Sequence, residues 1–181
     1  MKPHKLLIFA LLAVAAVGCG QPKQNGNTLT TASYLSKPLT SERLEMNYTI
    51  LLPENYEVET EDWFEDFIVF YIKDGEKTVG GIYVGNHPSA MADKFTSNLQ
   101  DSIEYKLYDE TKSVIMSKKT KWKIYFNGVS YFAETIMKNP HSAHWSKYIH
   151  LWTEQNDTET IQSFIALFST FQPAEPAHRN D

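Results

Sequence analysis

Short apolar runs alternate with turn residues through the middle of the chain, which is typical of antiparallel strands. Met46–Leu52 has an extended pattern that ends at a proline, whereas Phe67–Ile72 is apolar at almost every position. A run that is apolar on both alternating faces predicts a strand buried in the middle of a sheet. Asp74-Gly75 separates this run from the extended residues 78–84 and predicts a β-hairpin.

Two segments have the apolar spacing of a helix. After Pro88, apolar residues recur at every fourth position from Met91 to Ile103, which gives one apolar stripe. Nearer the C-terminus, Asn156 and Glu159 have the spacing of a capping box. The apolar residues behind them follow the helical spacing i, i+3, i+4, i+7: Ile161, Phe164, Ile165 and Phe168.

Asn127-Gly128 predicts a second hairpin, and the acidic residues 56–63 read as a loop. The element order is then strand, hairpin, helix, hairpin, strand, helix. Helices with a single apolar face cover one side of a sheet. We therefore predict an α+β fold in which a single antiparallel-rich sheet is covered by two helices, in one domain over residues 44–172.

The N-terminus has the three-part layout of a secretory signal. Two lysines precede an apolar stretch of roughly a dozen residues, which is too short to span a bilayer. The stretch ends in Ala16-Val17-Gly18-Cys19, which resembles the bacterial lipobox, and the resemblance implies a signal peptide over residues 1–18 and acylation of Cys19. The alternative is an ordinary signal peptide with a chance cysteine. Because Cys19 is the only cysteine in the chain, no disulfide explains it.

Residues 19–43 are rich in polar residues and lack an apolar period, which predicts a lipidated cysteine followed by a flexible tether. Residues 173–181 predict a disordered tail. Gly20 resembles the sorting signal of lipoproteins of the outer membrane, which implies an anchor facing the periplasm if the cell is Gram-negative. We therefore expect a lipid-anchored protein of the cell envelope.

The charge balance narrows the partners. The chain has 17 basic and 22 acidic residues, and loss of the two lysines of the signal peptide leaves a formal charge of −7. Such a balance argues against nucleic acid or anionic lipid as a partner. The classes of partner that remain compatible with this charge are an envelope protein and a small ligand.

Three stretches of the domain resemble one known family. Leu52–Tyr56, Gly81–Gly85 and Glu159–Phe171 look like the corresponding parts of PsbP/Mog-like proteins, over about residues 44–171. The resemblance implies an α/β/α sandwich and a mostly non-enzymatic family. A fold-level analogy does not by itself fix the function.

An acidic run surrounds two aromatic residues and predicts a surface for a basic partner, because carboxylates steer the encounter and aromatic side chains supply affinity. This surface consists of Glu57, Glu59, Glu61, Asp62, Trp63 and Phe64. The alternatives are a solvated loop whose aromatic residues are buried, and a calcium loop, although the run lacks the Asp/Asn spacing and the turn glycine of one.

Histidines and Glu134 offer other chemistry. His141 and His144, with His150 beyond, have metal-ligand spacing, but His141 follows a proline and reads as part of a loop. Glu134 lies in a predicted strand on the same face as Phe132 and Ile136 and reads as an edge-strand glutamate, and a catalytic role needs a second carboxylate or a histidine placed by the fold.

Aromatic residues of the hairpin regions either form the core or line a ligand groove. They are Trp122, Tyr125, Tyr131, Tyr148 and Trp152. Motifs of serine nucleophiles, phosphate loops and dinucleotide sites are absent from the sequence. We therefore predict no enzyme, no cofactor and no metal site, and a protein-binding module of accessory or immunity type. The alternative is a lipoprotein that binds a small ligand in an aromatic groove.

Replacing the cysteine of the lipobox tests the anchor. Cys19→Ser should abolish labelling by a fatty-acid probe and processing by the lipoprotein peptidase, because the thiolate is the group that is acylated. Labelling of the mutant equal to that of the wild type would show that Cys19 is not the anchor.

Overall fold

Antiparallel strands make up most of the chain that the structure, a computed structural model, describes: residues 33–63, 66–90, 105–142 and 144–174. The strands are β1 (Tyr34–Leu39), β2 (Tyr48–Pro53), β3 (Tyr56–Trp63), β4 (Phe67–Asp74), β5 (Lys77–Gly85), β6 (Lys106–Ile115), β7 (Lys118–Phe126), β8 (Tyr131–Lys138), β9 (Tyr148–Gln155) and β10 (Gln172–Pro173), and the helix is α1 (Thr158–Phe168). Within these ranges no helix has both the length and the hydropathy to cross a membrane.

The described strands form two sheets. Seven of them lie in the order β3-β4-β5-β9-β8-β7-β6, and β1, β2 and β10 form a second sheet with β2 in the middle. All neighbours are antiparallel. Strand β9 returns between β5 and β8 and so joins two consecutive meanders, β3–β5 and β6–β8. Strands β5 and β9 therefore lie near the centre of the larger sheet, and β3 and β6 form its edges.

The expected α+β fold, a single sheet covered by two helices, is wrong. The described residues form two antiparallel sheets with one helix, α1. The acidic residues 56–63, read as a loop, form β3. Residues 106–115, read as the end of a helix followed by a short strand at Ser113–Met116, form β6. Side chains of β6 are mostly exposed and none of those of β3 is fully buried, so neither strand has a clear apolar alternation. The expected helix from Met91 to Ile103 lies outside the described residues.

The ordered domain begins before the expected boundary at residue 44. Strand β1 pairs with β2 along its whole length, so the expected tether over residues 19–43 is wrong for Tyr34–Leu39. Only Leu39, at the end of β1, is fully buried, and the preceding residue is a proline. The segment therefore carries almost no apolar pattern, and its pairing with β2 is what orders it.

Helix α1 forms the centre of the core, and its predicted apolar stripe is confirmed. All four stripe residues are buried, and they contact core residues of both sheets. Phe168 stacks on Trp122 with ring centroids 5.5 Å apart, and Phe164 stacks on Tyr56 at 5.9 Å. The helix therefore covers one face of the seven-stranded sheet and leaves the other face to different residues.

The N-cap of α1 is Asp157 and not the expected Asn156. The Asp157 carboxylate accepts hydrogen bonds from the backbone N–H of Thr160 at 2.7 Å and from its hydroxyl at 2.8 Å. These bonds lower the pKa of Asp157. Asn and Asp are equally good N-cap residues, so spacing alone did not choose between the two neighbours.

Of two tight hairpin turns, one contains residues typical of such turns and the other does not. The predicted hairpin at Asp74-Gly75 is confirmed, and Gly75 has a φ of +60°. The turn between β6 and β7 consists of Met116 and Ser117, with φ of 47° and 62°. Both φ values lie in the left-handed region that favours glycine and asparagine, so the sequence does not mark this turn.

These turns predict two opposite changes in stability. Ser117→Gly should raise the free energy of unfolding by about 0.5–1 kcal/mol, because it removes a Cβ from a left-handed position. Gly75→Ala should lower it by a similar amount, although the space around Gly75 is open. Urea denaturation measures both, and a destabilising Ser117→Gly would contradict the left-handed turn.

Candidate functional site

A cavity of about 440 Å³ lies on the face of the seven-stranded sheet opposite α1. Small-molecule sites commonly have volumes of roughly 300–1,000 Å³. The residues that line it come from β4, β5, β9 and the segment after β5: Phe67, Val69, Tyr71, Tyr83, His87, Ser89, His150 and Trp152. The cavity is therefore built mainly on strands, which hold its side chains firmly.

Strand alternation places these side chains. Alternate residues of β4 line the cavity: Phe67, Val69 and Tyr71. The residues between them lie in the core: Ile68, Phe70 and Ile72. Both faces of β4 are covered, which explains why its sequence is apolar at almost every position.

Aromatic rings form the walls. Phe67 and Tyr83 stack with centroids 5.2 Å apart, and the rings of Tyr71 and Trp152 meet at 82° with centroids 6.3 Å apart. The backbone N–H of His87 donates to the Tyr83 hydroxyl oxygen at 2.9 Å, which ties the segment after β5 to the wall. The walls therefore present both ring faces and ring edges to the cavity.

A glycine makes room for the Trp152 ring. Gly81 of β5 pairs with Trp152 of β9, and a Cβ built on Gly81 would lie 2.3 Å from the nearest indole carbon. No real Cβ approaches another atom so closely. Gly81 therefore allows the indole to lie over the neighbouring strand.

A polar pair lies beneath the aromatic walls. The Nε2 atom of His150 is 2.9 Å from a carboxylate oxygen of Glu134, and the two side chains are only 5% and 4% exposed. The His150 ring also lies 5.5 Å from Trp152. Because buried polar groups need partners, each of these two side chains helps to satisfy the other.

The predicted partner surface forms one border of this cavity. Glu61 lies on β3 opposite Val69 of β4, close to the Tyr71 hydroxyl. Burial raises the pKa of Tyr71, and the nearby Glu61 carboxylate raises it further. Trp63 is 54% exposed and stacks on Phe67 with centroids 6.1 Å apart. The acidic run and the aromatic cavity therefore adjoin each other.

Other members of the predicted surface have partners within the chain. Glu59 pairs with Lys73, and Asp62 pairs with Arg43, each in a close ion pair. Glu57 is exposed. Phe64, like the predicted lipidation site Cys19, lies outside the described residues.

The three histidines of the metal alternative do not form one cluster among the described residues. His150 lies in β9 against Glu134, whereas His141 lines a second cavity of about 590 Å³ together with Phe171. In the part of the chain that the structure describes, no group of three or more His, Cys, Asp or Glu side chains is placed to hold a metal ion.

Sequence reasoning named Glu134 and His150 separately but did not bring them together. Glu134 is not on an edge strand as expected, because β8 lies between β7 and β9. Of the candidate groove aromatics, Trp152 lines the cavity, while Trp122 is fully buried in the core. The alternation of side chains along a strand predicts which residues share a face of the sheet. Only the pairing of β8 with β9 places Glu134 beside His150.

No model of a known protein family matches the chain, and no curated protein sequence is significantly similar to it. The resemblance to PsbP/Mog-like proteins therefore stays a prediction.

Removing the carboxylate of the buried pair should destabilise the domain. Glu134→Ala should lower the free energy of unfolding by about 3 kcal/mol, because it leaves the buried His150 ring without this partner. Glu57→Ala, on the exposed edge strand, is the matched control and should change it by less than about 0.5 kcal/mol. Equal urea midpoints for the two variants would show that the pair does not hold the domain together.

Proposed function

We propose that the protein is a lipid-anchored envelope module that binds a small organic molecule in the cavity over β4, β5 and β9. The observation that carries the proposal is the cavity of about 440 Å³, with aromatic walls and one buried polar pair. Aromatic walls supply affinity, and a few fixed polar groups orient the ligand. The combination of aromatic walls and a buried polar pair favours binding of a small ligand over binding of a protein partner at the acidic surface.

The described lining favours binding over catalysis. Two histidines, His87 and His150, are among the lining residues, and the Nε2 atom of His150 is engaged by Glu134. A nucleophile adjacent to a base would favour catalysis. Phe67, Val69 and Trp152, by contrast, offer contact area and no reactive group. We therefore propose a module that captures its ligand and does not convert it.

The proposed anchor limits where the module works. If Cys19 carries the lipid, residues 20–33 connect it to β1 and span at most roughly 50 Å when fully extended. The cavity would then remain near the inner face of the outer membrane in a Gram-negative cell. A ligand in the periplasm or released at the membrane surface would be within its reach.

Filling the cavity tests the proposal. Val69 lines the cavity, whereas Val129 is 76% exposed in the turn after β7. Native mass spectrometry of the protein equilibrated with a small-molecule envelope extract should show a bound compound on the wild type and on Val129→Phe. Val69→Phe should lose it, because its larger side chain occupies the space. A compound that remains bound to a folded Val69→Phe, or no bound compound on the wild type, would contradict the proposal.

A second candidate function is binding of an envelope protein, as in an accessory or immunity module. The observation that favours it is Trp63, 54% exposed on the edge strand β3, because an exposed aromatic on an open sheet edge can anchor a partner. Trp63→Ala should then remove a protein captured from envelope extract. Tyr108→Ala, at a residue 56% exposed on the opposite edge, should not. Equal capture by both variants would exclude the β3 edge.

A further inference from the structure

Carboxylates border the aromatic cavity on two sides. Glu61 lies opposite the lining residue Val69 and close to the Tyr71 hydroxyl at the β3 side, and Glu134 contacts His150 at the β8 side. Among the described residues that line the cavity, none is a lysine or an arginine. The immediate surroundings of the cavity therefore carry negative charge.

Two lysines of this sheet face are offset by neighbouring carboxylates. Lys73 forms an ion pair with Glu59. Lys123 of β7 is in register with Glu134 on one side and with Glu110 on the other. Glu61 has no lysine opposite it in the β3–β4 register, where its partner is Val69.

The ring geometry suits a positive charge. The face of an aromatic ring carries partial negative charge, and a cation within about 6 Å of the ring centroid is attracted to it. The rings of Tyr71 and Trp152 meet at 82°, so they form two walls of a corner, and the stacked pair Phe67 and Tyr83 lies on the neighbouring rows of the sheet. Several rings can therefore surround one charged group.

We propose that the ligand of this cavity is an organic cation with an alkylated ammonium group, an inference that rests on the proposed function. The ammonium group lies in the corner of Tyr71 and Trp152, and Glu61 supplies a compensating charge beside it. An anion would be favoured by lysine or arginine in the wall, and the described lining contains neither, whereas the Glu61 carboxylate would repel an anion. Because about 440 Å³ exceeds the volume of an ammonium head group, the ligand carries a further apolar or polar part that extends toward His150 and Tyr83.

A pair of probes separates charge from shape. Choline and 3,3-dimethylbutan-1-ol have nearly the same shape, but only choline is charged. Calorimetric titration of the protein should show choline binding at least about tenfold more tightly than the neutral alcohol, as expected for a cation held by several aromatic rings. Equal affinities would overturn the cation assignment and would leave small-molecule binding intact.

A change of charge alone tests the role of Glu61. Glu61→Gln keeps the size and polarity of the side chain but removes its charge, and it should weaken choline binding about threefold or more without changing the affinity for the neutral alcohol. Glu57→Gln, four residues away on the same strand and exposed, is the matched control and should have no effect. Unchanged choline affinity in Glu61→Gln would remove Glu61 from the site.

A change in the ring tests Trp152. Trp152→Leu should weaken choline binding about tenfold or more, with circular dichroism as the check that it is folded. If it fails to fold, Glu61→Gln and the probe pair still decide. If neither choline nor the alcohol binds at millimolar concentration, the cation assignment is overturned, and the proposed function then depends on the envelope-extract experiment alone.

Discussion

Burial of both faces of the central strands is the constraint on which the structure depends. Every residue of β5 from Val79 to Gly85 is buried. On one face the strand is covered by the core around α1, and on the other it contributes to the aromatic cavity. Water cannot form hydrogen bonds with the buried polar groups of such strands, so other groups of the protein must act as their hydrogen-bond partners.

The register shift between β4 and β5 shows how this demand is met. Ile72 pairs with Gly80 but Lys73 pairs with Thr78, so Val79 is the extra residue. Its carbonyl oxygen accepts hydrogen bonds from the Thr153 hydroxyl at 2.7 Å and from the Gln155 amide at 3.0 Å. The buried pair of His150 and Glu134 follows the same rule on the cavity face. The cavity therefore lies on a face whose buried polar side chains His150 and Glu134 are paired with each other.

The sequence predicted the elements whose patterns were local. The apolar run of β4, the hairpin after it and the stripe of α1 depend on residues close in the chain, and the structure confirms them. The edge strand β3, most of β6 and all of β1 were missed because few or none of their side chains are fully buried. These strands are ordered by pairing with neighbours, which no local pattern reveals.

The candidate site was predictable only in pieces. The acidic run, Glu134, His150 and Trp152 were each singled out from the sequence, but for different reasons. Their association depends on the pairing of β3 with β4, of β5 with β9 and of β8 with β9. Gly81 gave no signal of its own, because its role is to leave space for a ring from a strand about seventy positions away in the chain.

The chain contains four tryptophans, and their indole N–H signals report on different places. Trp152 lines the cavity, Trp63 is exposed on the β3 edge, Trp122 is buried in the core, and Trp145 lies beside Arg43. The most direct measurement is a proton–nitrogen NMR spectrum of the labelled protein during titration with the small-molecule fraction of an envelope extract. A ligand in the cavity should shift the Trp152 signal and leave the Trp63 signal in place. A shift of Trp63 without Trp152, or no shift at saturating extract, would contradict the account.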